Sequence, residues 1–212
     1  MANLPDYSHI FRKFHLGCGT VFIPGYLNIG YWSHLAAGGM YANPNNSKDT
    51  FLLNHDLVQG IPAADGSLDA IYHSHLLEHL SRAEGVEFIA ACFRVLRPGG
   101  LLRVVVPDLE LWARNYVTGN QFFFDEYRRL GLGDDRALYP TNGAVFMGML
   151  HNHGHKMGYD FETLKALLEA AGFTRLRRTL MRDSDLPEIA QIEGQALLHA
   201  MESLCLECYK PG

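Results

Sequence analysis

Histidines, a glycine-flanked turn and a few acids at the ends of apolar runs are the parts of this 212-residue chain that could do chemistry. His151, His153 and His155 form HxHxH, and on an extended segment three such imidazoles would share one face and suit zinc. No second Cys or His cluster stands behind that motif. A polar substrate-pocket loop is the preferred reading, and no resident metal is expected. His75 follows the run LDAIYHS, where an imidazole near neutral pH can take a proton from an acceptor hydroxyl, or simply fix a turn. His79, in LEHL, reads as a structural tie between a helix start and a neighbouring turn. Asp108, in VPDLE, either orients a substrate or caps a helix. The turn Gly17-Cys18-Gly19-Thr20 lets the backbone approach a ligand closely. It lacks the third glycine of a dinucleotide turn and the GK[ST] of a phosphate loop. A cofactor without phosphates is therefore favoured over those two, and a plain tight turn is the alternative.

These residues hang on a recognisable alternation of elements. FHL (14–16), YLNI (26–29), FLLNHD (51–56) and LDAIYHS (68–74) read as short buried strands. LLRVVV (101–106) reads as a central parallel strand, apolar on both faces. Ser81 and Glu84 make a capping-box pattern for a helix to about Leu96, which RPGG (97–100) stops. Leu109–Val117 looks helical, 122–130 is aromatic and then charged, and 131–160 shows no clear period. FETLKALLEAAGF (161–173) is an amphipathic helix closed by Gly172. Residues 173–181 and 203–209 read as two closing strands, and the polar stretch 43–49 as a surface loop. The order predicts an α/β protein with a parallel sheet and a late hairpin. Ligands of such sheets bind beyond the carboxyl ends of the strands. That brings Gly17–Thr20, Gly30–Trp32, Asp56-Leu57, Ser74-His75 and Pro107-Asp108 to one crevice.

Bulk properties narrow the class. Hydrophobic residues make up 48% of the chain, which suits one globular domain over 1–212. A net charge of −5 implies no basic face and disfavours a nucleic-acid partner. The opening MANLPDYSHIF lacks the pattern of a signal peptide, and no apolar run reaches membrane-spanning length, so no membrane role is expected. Cys205 and Cys208 are three apart on a predicted strand and point to opposite faces, which argues against a zinc or redox pair. Reduced, buried thiols in a cytoplasmic protein are expected. The three phenylalanines 122–124 require some burial, as a lid, a homodimer contact or ordinary core.

HLGCG, PGYLNI, HDL at 55–57, DGSLDAIYHSHLLEHL, FRVLRPGGLLRVVVPDLE, HKMGYDFETLKALLEAAGF and SLCLECYK stand in this order over most of residues 14–210. In these motifs the chain resembles the class I S-adenosylmethionine-dependent methyltransferases, and within them a group of small bacterial members. The resemblance implies a Rossmann-like, mostly parallel seven-stranded sheet with a reversed last strand and helices on both faces. It implies S-adenosylmethionine as cofactor and methyl transfer to a small or medium acceptor molecule, at oxygen. It assigns the methionine part to Gly17, Cys18 and Gly19, the ribose to Gly30 and Tyr31, and the adenine to Asp56 and Leu57. Ser74 and His75 fall near the methionine end or the substrate, and His155 faces the acceptor. With Asp108, the two histidines are the candidate catalytic residues, and the segment 109–160 is the insert that selects the acceptor. One position departs. The family's ribose-gripping acid is Gly30 here, which removes charge-assisted hydrogen bonds of about 1.5–3 kcal/mol each. Either Tyr31 or Asn28 stands in as a substitute, or the ligand is altered and the protein is an idle relative that binds without turnover.

Overall fold

The computed structural model describes residues 4–42, 50–193 and 197–212; the expected loop 43–49 lies outside them. Its strands are β1 (Lys13–Leu16), β2 (Leu27–Gly30), β3 (Met40–Ala42), β4 (Phe51–Asn54), β5 (Leu68–Ser74), β6 (Leu96–Pro107), β7 (Thr174–Thr179) and β8 (Ser203–Tyr209). They form one sheet in the order β3-β4-β2-β1-β5-β6-β8-β7. From β4 to β6 every pair is parallel, and β8 runs against both of its neighbours. The expected class holds, with one correction to the count: among the described residues eight strands are present, not seven. The extra one is β3, which pairs antiparallel with β4 at the edge, Tyr41 opposite Leu52. Three residues are too few to show a period in the sequence.

The helices are α1 (Arg82–Val95), α2 (Leu109–Val117), α3 (Gln121–Gly131), α4 (Asn142–His151), α5 (Phe161–Ala170), α6 (Ile189–Ile192) and α7 (Leu197–Glu202). The predicted capping box is formed at the start of α1. Glu84 N donates to Ser81 Oγ at 3.4 Å, and Ser81 N donates to Glu84 Oε2 at 2.7 Å. RPGG does end the helix, but the chain passes straight into β6 with a register shift against β5 between Leu68 and Ala70. Alternate residues of the strands feed two cores. Phe14, Leu16, Ile71, Leu102, Val104 and Cys208 meet α1 and α5 on one face. Ala70, Tyr72, Leu101, Val105 and Cys205 meet Ile23, Tyr26 and Ile189 on the other. Cys205 and Cys208 thus lie on opposite faces, as their spacing on a strand requires. A third core holds α2, α3 and α4 around the fully buried Trp112, with Phe123, Phe124 and Tyr127 against it. Two of the three phenylalanines are therefore core, while Phe122 is 74% exposed. No helix of the described residues is long and apolar enough to cross a membrane.

Arg103 and His73 are two of several buried polar side chains within the sheet. Arg103 of β6 is fully buried between two acids. It donates from Nε and Nη2 to both Glu193 oxygens at 2.7 and 2.5 Å, and from Nη1 to Glu207 Oε1 at 3.2 Å. His73 of β5 is also fully buried, edge-on to Phe88, and neither ring nitrogen has a hydrogen-bond partner. Burial pushes its pKa from 6.5 down to about 4.

Arg103→Met is expected to cost about 3–5 kcal/mol in urea unfolding, because two buried carboxylates lose their counter-charge. His73→Leu should raise stability by about 1 kcal/mol at neutral pH, since it removes unsatisfied buried polar atoms. A folded pKa of about 4 lies below the unfolded 6.5, so the unfolded chain binds more protons between those values. The wild type therefore loses stability as pH falls through that window, and the variant should lose less. Melting curves at several pH values check both points.

Candidate functional site

The crevice begins where β1 ends. Gly17 turns with φ +67°, and a Cβ on it would lie 2.9 Å from a Leu76 methyl. The next residue is tied back to the sheet, Cys18 N donating to Ile29 O at 2.9 Å. Beneath the turn lies Asn28 of β2. Its Nδ2 donates to the carbonyls of Ile23, Tyr26 and Phe51, and its Oδ1 accepts from Ile23 N and meets His15 Nδ1. Asn28 is thus a buried brace for the loop and unavailable to a ligand, which corrects its expected use as a substitute for the missing acid.

Two cavities flank this turn and share Gly17. The first, of about 300 Å³, has walls of Leu57, Leu80 and Phe88 and an edge formed by Gly30, Tyr31 and Asp56. Asp56 follows β4 and caps the short turn Leu57–Gln59, Oδ1 accepting from Val58 N at 3.0 Å. The cavity is an apolar slot with a carboxylate at its rim. The second, of about 360 Å³, is lined by Cys18, Gly19, Tyr72, Ser74, His75 and His199. Burial pushes the Cys18 thiol up to about 12, so it is neutral. His75 is held at φ +50°, with its backbone N donating to Val105 O at 2.9 Å. Its Nδ1 lies 3.2 Å from Glu78 Oε1, its Nε2 2.9 Å from Ser203 Oγ, and its ring stacks on His199 at 4.1 Å. Burial lowers His199 to about 4 and raises Glu202, behind it, to about 7.

The predicted cofactor residues thus gather around one crevice, in two adjoining hollows. Two of the three predicted catalytic residues line neither. Asp108 is buried with both oxygens engaged, Oδ1 by Leu111 N at the start of α2 and Oδ2 by Arg178 Nη2 at 2.6 Å. The capping alternative describes those contacts. His155 donates from Nδ1 to Met149 O at 2.6 Å and stands edge-on to His79, ring centres 4.7 Å apart. The HxHxH premise of an extended segment is corrected. His151 ends α4, and His153 adopts φ +59° in the tight turn that follows. Sequence reasoning missed His55, Leu76 and Leu80 in the first cavity and His199 in the second. His199 had no signal, since it meets His75 from a helix near the other end of the chain.

The fold is a doubly wound sheet whose strand ends open on an apolar slot with an acidic rim. A model described as "Methyltransferase domain" matches residues 14–104. A curated relative from Mycolicibacterium smegmatis, named a probable S-adenosylmethionine-dependent methyltransferase, is 36% identical over 56 residues. That match covers 26% of this chain and 21% of the relative's length. Among solved structures, a SAM-dependent methyltransferase from Archaeoglobus fulgidus superposes with a TM-score of 0.53 at 14% identity, over 96% of this chain and 88% of that one. One from Mesorhizobium loti gives 0.52 at 13% identity, over 99% and 94%. Over residues 14–104 the chain is thus similar to a methyltransferase domain, and over a shorter stretch to a relative named for S-adenosylmethionine.

The residues present fit that cofactor at the Gly17 cradle, the apolar slot and the Asp56 rim. The departure at Gly30 has a steric cause. A Cβ there would fall 2.4 Å from Trp32 Cη2, so an acid at this position requires the indole to move. Asn54, at the end of β4, holds the indole's loop, accepting from Trp32 N at 2.7 Å and donating to the carbonyls of Trp32, Leu35 and Ala36. Tyr31 is 61% exposed at the cavity edge.

Gly17→Ala forces a left-handed φ on a residue with a Cβ and drives that Cβ against Leu76. It is expected to lose about 1–3 kcal/mol of stability in urea unfolding.

Proposed function

We propose that this protein transfers a methyl group from S-adenosylmethionine to a hydroxyl oxygen of a small or medium acceptor molecule. The observation that carries the reading is the pair of cavities meeting at Gly17, one apolar with an acidic rim and one lined by histidines. Bound there, the cofactor supplies an electrophilic methyl for in-line displacement. The chain supplies alignment and a shaped, dry pocket. Asp56 accepts from the adenine amine and Leu57 packs on the ring. Gly30 and Tyr31 border the ribose, and Gly17 to Gly19 pass under the methionine part, with Ser74 at its end. His75 borders the acceptor. It takes the hydroxyl proton at Nε2, and Glu78 beside Nδ1 supports the imidazolium that results. Asp108 and His155 act from outside the two cavities, holding the elements that wall them. The helices of 109–160 form the insert of a single domain and select the acceptor, since they share a core of their own beside the crevice. A cytoplasmic setting suits the four free, buried cysteines.

The test is calorimetric titration with S-adenosylmethionine and S-adenosylhomocysteine. Micromolar binding is expected, weakened about tenfold or more in Asp56→Ala through loss of a hydrogen bond to a charged group. Absence of binding at millimolar ligand would overturn the reading.

A further inference from the structure

Behind the second cavity, three donors from two distant segments converge. Glu78, His79 and His155 each offer one ligand atom, and these atoms all lie within 4.8 Å of one another. The backbone brings them together, since Lys156 N and Met157 N both donate to Glu78 O, at 2.8 and 3.1 Å. Glu78 is 1% exposed, and neither carboxylate oxygen has a hydrogen-bond donor. His75 Nδ1 lies 3.2 Å from Oε1, an ion pair once that imidazole is protonated, which leaves Oε2 with no such contact. A buried carboxylate with two unsatisfied oxygens is costly unless something positive faces it. The imidazoles are prepared to share that task. A carbonyl only accepts, so the His155 contact with Met149 O puts the proton on Nδ1 and leaves Nε2 with its lone pair toward the cluster. Imidazoles anchored through their outer nitrogen are the usual surroundings of a metal site.

We propose that Glu78, His79 and His155 bind one first-row divalent cation, of the zinc, cobalt or manganese type, through two nitrogens and a carboxylate. Such ions hold their donors about 3–4 Å apart, so small imidazole rotations complete the set. Three protein ligands leave open positions for water or an acceptor oxygen. The ion lies beside the crevice, because Leu76 and Leu80 line the first cavity on either side of Glu78 and His79, and His75 lines the second. Its role rests on the methyl-transfer reading. An acceptor hydroxyl bound through oxygen is acidified, which eases transfer of its proton to His75 Nε2. That oxygen then forms the new bond to the methyl carbon, and the electron pair of the broken carbon–sulfur bond stays on sulfur. This departs from the expectation of no resident metal, and it uses one histidine of HxHxH rather than three. His75, His199 and Glu202 also converge within 4.8 Å. Their two imidazoles are stacked at 19°, however, and one ion cannot lie in two parallel ring planes.

The experiment is titration of the chelator-treated full chain with Co²⁺ alone, read by visible d–d absorption and by metal content after desalting. One equivalent is expected to bind with a d–d band. Affinity should drop at least about a hundredfold in His155→Ala and in His79→Ala, and should be retained in His153→Ala. The proposal is overturned if the wild type takes up no Co²⁺ at tenfold excess, or if binding survives both ligand variants or is lost instead in His199→Ala. The wild-type arm decides even if a variant fails to fold. Calorimetry with S-adenosylhomocysteine on the same samples separates the two readings. Cofactor binding without Co²⁺ removes the metal alone, and Co²⁺ without cofactor binding leaves the site standing while methyl transfer falls.

Discussion

The buried guanidinium of Arg103 is the contact on which the carboxyl-terminal half of the sheet depends. A charge in the middle of a parallel strand is tolerable only with full satisfaction, and here every nitrogen is used. Besides Glu193 and Glu207, Nη1 donates to Thr179 Oγ1 and Asp183 O, and Nη2 to Leu180 O. One side chain therefore holds β6, the reversed β8, the end of β7 and the loop leading to α6. Glu193 also lines the second cavity, so the wall of the crevice and the closure of the sheet share a single electrostatic anchor.

From that frame the crevice follows by simple geometry. Parallel strands β1, β2, β4 and β5 end together, and each hands its next residue to the same space. Where the turn must be tight the backbone goes left-handed, at Gly17, Gly19 and His75. A non-glycine residue with φ +50° is held only by surroundings that over-determine it. His75 has such surroundings in Glu78, Ser203, His199 and the Val105 carbonyl. Two amides, Asn28 and Asn54, do similar work at the first cavity, each tying a loop to the end of a strand.

What was legible in the sequence was what short-range physics decides. β5 and β8 declare themselves as apolar runs of strand length, and α1 through its capping box. Asp56 and the Gly17 turn were placed at the crevice because strand ends can be counted. What was not legible depends on distant partners. Arg103 read as one polar letter in an apolar strand, since its acids lie 90 and 104 residues away. α4 has apolar residues and glycine all round, so it shows no period. HxHxH suggested one face, but that inference assumed an extended chain, and the left-handed His153 breaks it. Asp108 stood at a strand end like the others, and only the arrival of Arg178 from β7 shows where its charge is spent.

The two thiols of β8 have a consequence for how the molecule opens. Cys205 faces the layer under α6, and Cys208 the layer under α1 and α5, both almost fully shielded from solvent. A strand that separates them so completely prevents them from pairing. Each becomes reactive only when its own layer parts from the sheet. The chain thus carries a built-in pair of reporters, one on each side of the same strand, whose labelling rates read the breathing of the two layers independently.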